Sequence, residues 1–167
     1  YNLMFSESST IQSLNKLLAS NKFSEIKQVL IFDNSQQAKE PQGLDERFIY
    51  YHSPENVGLA QAYNYALSQV DEHIEWLVTL DQDTTLTSDY LEELIVQANS
   101  QPQSVAAIAP IIRDNNQQIS PVRSDTLRPL HTELPKSDQT YSQDFMVINS
   151  ATALRKSFLN KIGGYNL

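Results

Sequence analysis

Three acidic residues follow two short apolar runs in this sequence. Asp33 comes directly after the run at 29–32, and Asp81 and Asp83 come after the run at 76–80. In open α/β sheets, ligands bind outside the carboxyl ends of the strands, so these residues are candidates for a binding site. Two carboxylates one residue apart can converge on a hard divalent cation, which keeps water or phosphate oxygens in its other positions. The pattern predicts a site for Mg²⁺ or Mn²⁺ at Asp81 and Asp83.

Each acidic position also has a structural explanation. Asp81 and Asp83 can cap the turn into the helix that is expected to follow them. Asp33 begins an Asp-Asn-Ser sequence, which is ordinary turn chemistry because such short polar side chains hydrogen-bond their own backbone. The residues alone leave both explanations open.

The first hundred residues alternate between two kinds of pattern. Apolar residues recur with helical spacing at 11–18, 59–70 and 91–98, and short runs rich in β-forming residues lie at 28–32, 48–51 and 75–80. Strands that alternate with helices of this length form right-handed βαβ units. We therefore expect an α/β fold with a mostly parallel sheet and helices on both faces.

The second half of the chain is less regular. Strands are expected at 105–112, 145–149 and 152–154, and a short helix is expected at 156–162, where Gly163 and Gly164 would end it. The segment 113–144 is polar and holds three prolines, with a weak strand pattern at 119–122, so we expect a long loop there. Arg155 and Lys156 are expected on a solvated helix start.

The composition narrows the classes of partner. The chain has 167 residues, with 12 basic and 20 acidic side chains and a net charge of −8, which predicts a single domain over 1–167. An acidic surface repels phosphodiester backbones, so a nucleic acid polymer is not expected as a partner. The absence of cysteine fits a cytoplasmic location.

Four segments, taken together, resemble the ordered motifs of family 2 glycosyltransferases. They are QVLIFDNS at 28–35, NVGLAQAYN at 56–64, WLVTLDQDT at 76–84 and IGGY at 162–165. The DQDT form of the third motif is similar to the rhamnosyltransferase-like branch. The resemblance implies a GT-A fold and an inverting enzyme that moves a sugar, rhamnose in that branch, from a nucleotide-diphosphate donor. The implied acceptor is a saccharide or lipid-linked saccharide in cell-surface polysaccharide synthesis, at the inner face of the membrane.

The resemblance also assigns roles to individual residues. Asp33 would contact the base of the donor, while Asp81 and Asp83 would serve the ribose and the metal that bridges the diphosphate. The motif that shapes the loop and helix beside the nucleotide is matched by Asn56, Gly58 and Asn64. Many relatives carry a basic residue just before the asparagine that matches Asn64, and this chain has Tyr63 there.

Both ends of the chain depart from the family pattern. Tyr1-Asn2 resembles the dipeptide that follows the family's first strand, so that strand is expected upstream of this chain. The general base is expected beyond Leu167. We therefore expect a fragment that is inactive alone and that forms a homo-oligomer through unpaired strand edges.

Two other functions stay open at this point. Residues 81–85 also satisfy the Asp-x-Asp-x-Thr pattern of haloacid-dehalogenase-type phosphatases and phosphotransferases, in which Asp81 would be the nucleophile and Mg²⁺ the phosphate clamp. Chain order disfavours this, because that motif usually opens its domain. The other alternative is a nucleotide-sugar-binding module that has lost catalysis.

Overall fold

Three α-helices and three strands lie in the first hundred residues of the structure, a computed structural model that describes residues 4–125, 128–130, 134–137 and 139–166. A short 3-10 helix at Phe5–Glu7 precedes α1 (Ser9–Leu18), β1 (Val29–Asp33), β2 (Phe48–His52), α2 (Gly58–Gln69), β3 (Trp76–Thr79) and α3 (Ser88–Ser100). The six elements expected in this half are thereby confirmed. Tyr1 and Asn2, on which the expectation of an upstream strand depends, lie outside the described residues.

Short strands dominate the second half. They are β4 (Ala107–Ile108), β5 (Ile112–Asp114), β6 (Gln117–Ser120), β7 (Val122–Asp125), β8 (Arg128–Leu130), β9 (Phe145–Met146) and β10 (Thr152–Arg155), and α4 (Lys156–Ile162) follows them. The segment 113–144, expected to be a long loop, therefore contains β6, β7 and β8. The weak strand pattern at 119–122 falls on β6 and β7, whereas β8 has no buried side chain and left no pattern in the sequence.

The expectation of a mostly parallel sheet is not confirmed. Among the described residues, the parallel pair is β1–β2, in the register Val29 to Phe48. The other sheets, in the orders β3-β10-β4, β5-β6 and β8-β7-β9, are antiparallel. The βαβ pattern was read from the first half of the chain, whereas the partner of β3 is β10, from the second half. Short connections, which favour antiparallel pairing, join β5 to β6 and β7 to β8.

The main apolar cluster packs α1 and α3 beside the strands. Its buried members are Leu14, Leu18, Phe23, Leu86 and Leu91. Half-buried residues of β1 and β2, among them Val29 and Phe48, pack against this cluster. No helix among the described residues is long and apolar enough to span a membrane.

The carboxyl ends of β1 and β3 lie at the same end of the molecule. Phe5 contacts the ring of Tyr50, whose hydroxyl bonds Asp33 at the end of β1. A few residues along, Ser8 donates to the carbonyl of Gln82, just after β3. Within the described chain β1 pairs only with β2 and β3 only with β10, and the two strands line one cavity of about 1240 Å³.

Arg155 is buried, contrary to the expectation of a solvated helix start. Its side chain is 2% exposed and its guanidinium lies 4.1 Å from the ring of Trp76. The guanidinium donates to the carbonyl oxygens of Gln101, Pro102 and Val105 and to the carboxylate of Glu75. Arg155 therefore fixes the loop between α3 and β4 to the end of β10.

Candidate functional site

Three of the sequence-predicted site residues line the cavity between β1 and β3. They are Asp33, at the last position of β1, and Asp81 and Asp83, in the turn after β3. The fold brings together residues about fifty positions apart in sequence, at the carboxyl ends of strands where ligands bind in open α/β sheets.

Asp33 is a buried, ionised acceptor. Its Oδ1 accepts from the Ser35 N–H at 2.9 Å and its Oδ2 accepts from the Tyr50 hydroxyl at 2.7 Å. Burial raises the pKa of Asp33, but the hydrogen bonds from Ser35, Tyr50 and the Lys39 backbone outweigh it, so the pKa lies below its usual value. Two carboxylate oxygens offer about four acceptor positions, and the hydrogen bonds from Ser35, Tyr50 and Lys39 occupy most of them.

The turn that carries Asp81 and Asp83 is held by its backbone. The Thr10 hydroxyl, at the start of α1, donates to the Asp81 carbonyl and accepts from the Thr84 N–H at 2.9 Å. On the other side, the Ser150 hydroxyl accepts from the Asp81 N–H at 3.0 Å and pairs with the Thr84 hydroxyl at 2.7 Å. These contacts position the turn without using either carboxylate.

The carboxylates of Asp81 and Asp83 are exposed and uncommitted. No described residue donates a hydrogen bond to either of them, and α3 is capped by Thr87, whose side chain accepts from the Tyr90 N–H. Capping of the next helix therefore does not explain these two acids.

The carboxylates near the cavity could hold a divalent cation only if a bound ligand supplied further oxygen atoms. The described residues contain no group of three or more acidic or histidine side chains that could hold a metal ion. Mg²⁺ is commonly bound through one or two carboxylates together with water and substrate phosphates, and Asp81 and Asp83 provide that number of carboxylates. These two residues would hold the ion if a diphosphate supplied further oxygens.

Asn56 and Gly58 shape the start of α2. The Asn56 side chain accepts from the Gly58 N–H at 3.1 Å, and Gly58 has φ +79°, which favours glycine. Asn34, just after β1, accepts from the Val57 N–H at 3.3 Å. Neither Asn56 nor Gly58 lines the cavity. Their contacts instead position the loop before α2 beside the end of β1.

Asn64 does not line the cavity either, but it positions a residue that does. Its side-chain amide binds the N–H and the carbonyl of Tyr165, and Tyr165 lines the cavity. Gly163 and Gly164 have φ +85° and +88°, and this turn brings Tyr165 back from α4 to α2. A Cβ on Gly164 would lie 2.4 Å from Asn64 Oδ1, so only glycine fits there.

Tyr63 and Asn149 belong to the site and were not predicted for it. Asn149 Nδ2 donates to the Tyr63 hydroxyl at 2.9 Å, and the rings of Tyr63 and Tyr165 lie 5.0 Å apart. Burial and then the charge of Asp81 raise the pKa of Tyr63, and burial raises the pKa of Tyr165 to about 12. The departure from the family pattern at Tyr63 was a signal for its importance, whereas no sequence pattern marks Asn149.

The comparison with known families agrees with this geometry. The chain matches the description "Glycosyl transferase family 2" over residues 3–163, which is nearly its whole length. This chain belongs to glycosyl transferase family 2. No curated protein and no solved structure matches it significantly.

Membership establishes the class of enzyme. Family 2 glycosyltransferases have a GT-A α/β fold and use a nucleotide-sugar donor and a saccharide acceptor, commonly with a divalent cation. A family match of this extent favours glycosyl transfer over the phosphatase alternative, in which Asp81 would be a nucleophile.

Proposed function

We propose that this glycosyltransferase domain binds its nucleotide-sugar donor in the cavity at the carboxyl ends of β1 and β3. Asp33 accepts a hydrogen bond from the base, Asp81 contacts the ribose, and Asp81 and Asp83 hold a divalent cation together with the diphosphate. Asn56, Gly58 and Asn64 do not contact the donor, but they position the backbone segments around the site.

One observation carries this proposal. The three predicted aspartates line a single cavity, and the carboxylates of Asp81 and Asp83 are exposed without a hydrogen-bond donor among the described residues. Neither carboxylate holds the turn or caps α3, so both are available to a cation and a diphosphate.

The reaction is an inverting displacement at the anomeric carbon. A hydroxyl oxygen of the acceptor forms a bond to that carbon as the bond to the diphosphate oxygen breaks, and the nucleoside diphosphate leaves with the electron pair. The acceptor proton passes to a general base, which we do not assign to any residue of this chain. A bound divalent cation would offset the charge that develops on the diphosphate.

The donor sugar is proposed to be rhamnose, and the product a cell-surface polysaccharide made at the cytoplasmic face of the membrane. The DQDT form at residues 81–84 supports this choice by resemblance alone. Nucleotide sugars that carry rhamnose should therefore bind more tightly than those that carry glucose on the same nucleotide.

The test is calorimetric titration with nucleotides and nucleotide sugars, with and without Mn²⁺ or Mg²⁺. We expect metal-dependent binding that Asp83→Asn weakens about tenfold or more, since a charged ligand atom is lost. Asp89→Asn is the matched control, because it removes the same charge from an exposed residue that does not line the cavity. Equal binding by the wild type and Asp83→Asn would contradict the metal assignment.

The non-catalytic alternative predicts a different result. A binding module would retain the metal-dependent titration but release no nucleoside diphosphate with any donor and acceptor. Release that depends on both an acceptor and Asp83 would exclude it.

A further inference from the structure

The corner of the cavity beside Asp81 holds two tyrosine hydroxyls without acceptors. Tyr63, from α2, and Tyr165, after α4, both line the cavity, and their rings are in contact. Neither hydroxyl donates a hydrogen bond to any described residue, and the buried oxygen of Tyr165 has no hydrogen-bond partner in the part of the chain that the structure describes. A buried polar group without a partner costs about 1–3 kcal/mol, so such a group needs an explanation.

The structure orients the Asn149 amide with Oδ1 towards Thr79 and Nδ2 towards Tyr63. The Thr79 hydroxyl donates to Asn149 at its backbone oxygen, 2.7 Å away, and at its Oδ1, 3.0 Å away. With Oδ1 facing Thr79, Asn149 presents Nδ2 to Tyr63, and the Tyr63 oxygen is therefore the acceptor. The one proton of the Tyr63 hydroxyl stays available for donation to something else.

The same end of the cavity lacks positive charge. Of the described residues that line the cavity, the basic ones are Lys27 and His73, which precede β1 and β3 and so lie at the opposite end of the strands from Asp33 and Asp81. An anionic ligand at the carboxyl end thus meets uncharged donors. Because the pKa values of both tyrosines are raised, both remain protonated donors throughout the physiological range.

We propose that the hydroxyls of Tyr63 and Tyr165 form a neutral hydrogen-bond-donor subsite that binds diphosphate oxygens of the nucleotide donor beside Asp81. This inference rests on the proposed function and adds residues and a ligand group to it. Two hydroxyl donors without acceptors match a diphosphate, which offers several acceptor oxygens and no donors, and an oxygen anion accepts stronger hydrogen bonds than a neutral one. Asn149 is a positioning residue here, because it orients the Tyr63 hydroxyl.

The experiment compares Tyr63→Phe and Tyr165→Phe with the wild type in the presence of Mn²⁺. The probes are UDP, dTDP, GDP and CDP, measured by calorimetry, and the matching nucleosides, measured by ligand-detected NMR. Each variant should bind the preferred nucleoside diphosphate about tenfold more weakly, while nucleoside binding stays unchanged. The control is Tyr65→Phe, which makes the same change on the same helix in a residue that stacks on Tyr51 and does not line the cavity.

Thermal stability provides a second readout for Tyr165. Removing a buried hydroxyl that has no partner should leave the melting temperature equal or higher, so weaker binding by Tyr165→Phe cannot come from a damaged fold. Unchanged diphosphate affinity in either phenylalanine variant would overturn the inference, as would an equal loss for nucleoside and nucleoside diphosphate. If the wild type binds none of the nucleotides, the proposed function itself fails, which is a distinct result.

Discussion

The side-chain amide of Asn64 binds both hydrogen-bonding groups of the Tyr165 main chain. Its Nδ2 donates to the Tyr165 carbonyl at 2.9 Å, and its Oδ1 accepts from the Tyr165 N–H at 2.7 Å. This pair joins the middle of α2 to the turn after α4 and sets Tyr165 against Tyr63. An asparagine fits this role because it is both donor and acceptor on one planar group.

Replacing Asn64 by aspartate should break one half of this contact. The second carboxylate oxygen would face the Tyr165 carbonyl where Nδ2 now donates, so a hydrogen bond is lost and two acceptors oppose each other. We expect a loss of about 1–3 kcal/mol in the free energy of unfolding, measured by urea denaturation. Asn166→Asp, the same change at an exposed position, should cost little. Similar losses in both variants would show that added charge, not the contact with Tyr165, is responsible.

Alanine at Gly164 should be more harmful than alanine at Gly163. Both residues have positive φ, so each substitution incurs a backbone cost of about 1–2 kcal/mol. At Gly164 the new Cβ would also lie 2.4 Å from Asn64 Oδ1, whereas at Gly163 it meets nothing within 4 Å. The difference between the two melting temperatures isolates this clash. Equal melting temperatures would mean that Asn64 moves aside without cost.

The acidic end of the cavity was predictable because its signals are local. Asp33, Asp81 and Asp83 each follow an apolar run that forms a strand, and one topological rule places all such residues at a common edge. The helices were predictable for the same reason, since periodicity and caps such as Ser8 lie within a few residues of each other.

The contacts that complete the site are not local, and sequence alone could not give them. Asn149 reaches Tyr63 across 86 positions, and nothing in the residues around 149 indicates that partner. Arg155 shows the same limit. A charged residue at the start of a short helix is normally solvated, and its burial depends on the carbonyls of a loop fifty residues earlier.

Loss of the Arg155 guanidinium should be strongly destabilising. Arg155→Met keeps most of the apolar volume but leaves the carbonyls of Gln101 and Val105 without the guanidinium donor and removes one of the two donors to Pro102. Removal of a buried charged group from its hydrogen bonds typically lowers the free energy of unfolding by about 3–5 kcal/mol. Glu75→Gln removes the charge of its acidic partner, which is 62% exposed, and should stay within about 1 kcal/mol of the wild type. A small effect of Arg155→Met in denaturant titrations would show that water replaces the guanidinium.

Acid should weaken the fold through Asp45. Hydrogen bonds from Arg47 lower the pKa of Asp45 to about 2, and Arg47 in turn donates to the carbonyls of Leu18 and Phe23. A carboxyl group with a lowered pKa stabilises the fold above its unfolded pKa of about 3.9 and loses that contribution as the pH falls towards 2. Wild type should therefore be more stable than Asp45→Asn at pH 7, and the gap should close between about pH 4 and pH 2. Asp114→Asn is the control, and a gap that stays constant with pH would contradict the linkage.

The last prediction concerns the strand edges that face the cavity. In the β3–β10 pair, the carbonyls of Glu75 and Thr79 accept bonds at the β10 side, so the alternating residues Trp76 and Val78 direct their backbone groups the other way. Within the described chain no strand pairs with that edge, or with the edge of β1 away from β2. Unpaired edges are templates for other chains. We expect self-association that increases from micromolar to millimolar concentration in sedimentation velocity experiments.

A charge on the edge should prevent this association. Val78→Lys places an ammonium group at a position that is already 38% exposed, and a lysine on an edge strand opposes pairing with another copy. Val96→Lys makes the same change on α3, at a position that is 59% exposed and away from the cavity, and should associate as the wild type does. If the wild type remains monomeric throughout, these edges do not recruit a second chain. If both lysine variants dissociate equally, net charge rather than strand pairing controls the assembly.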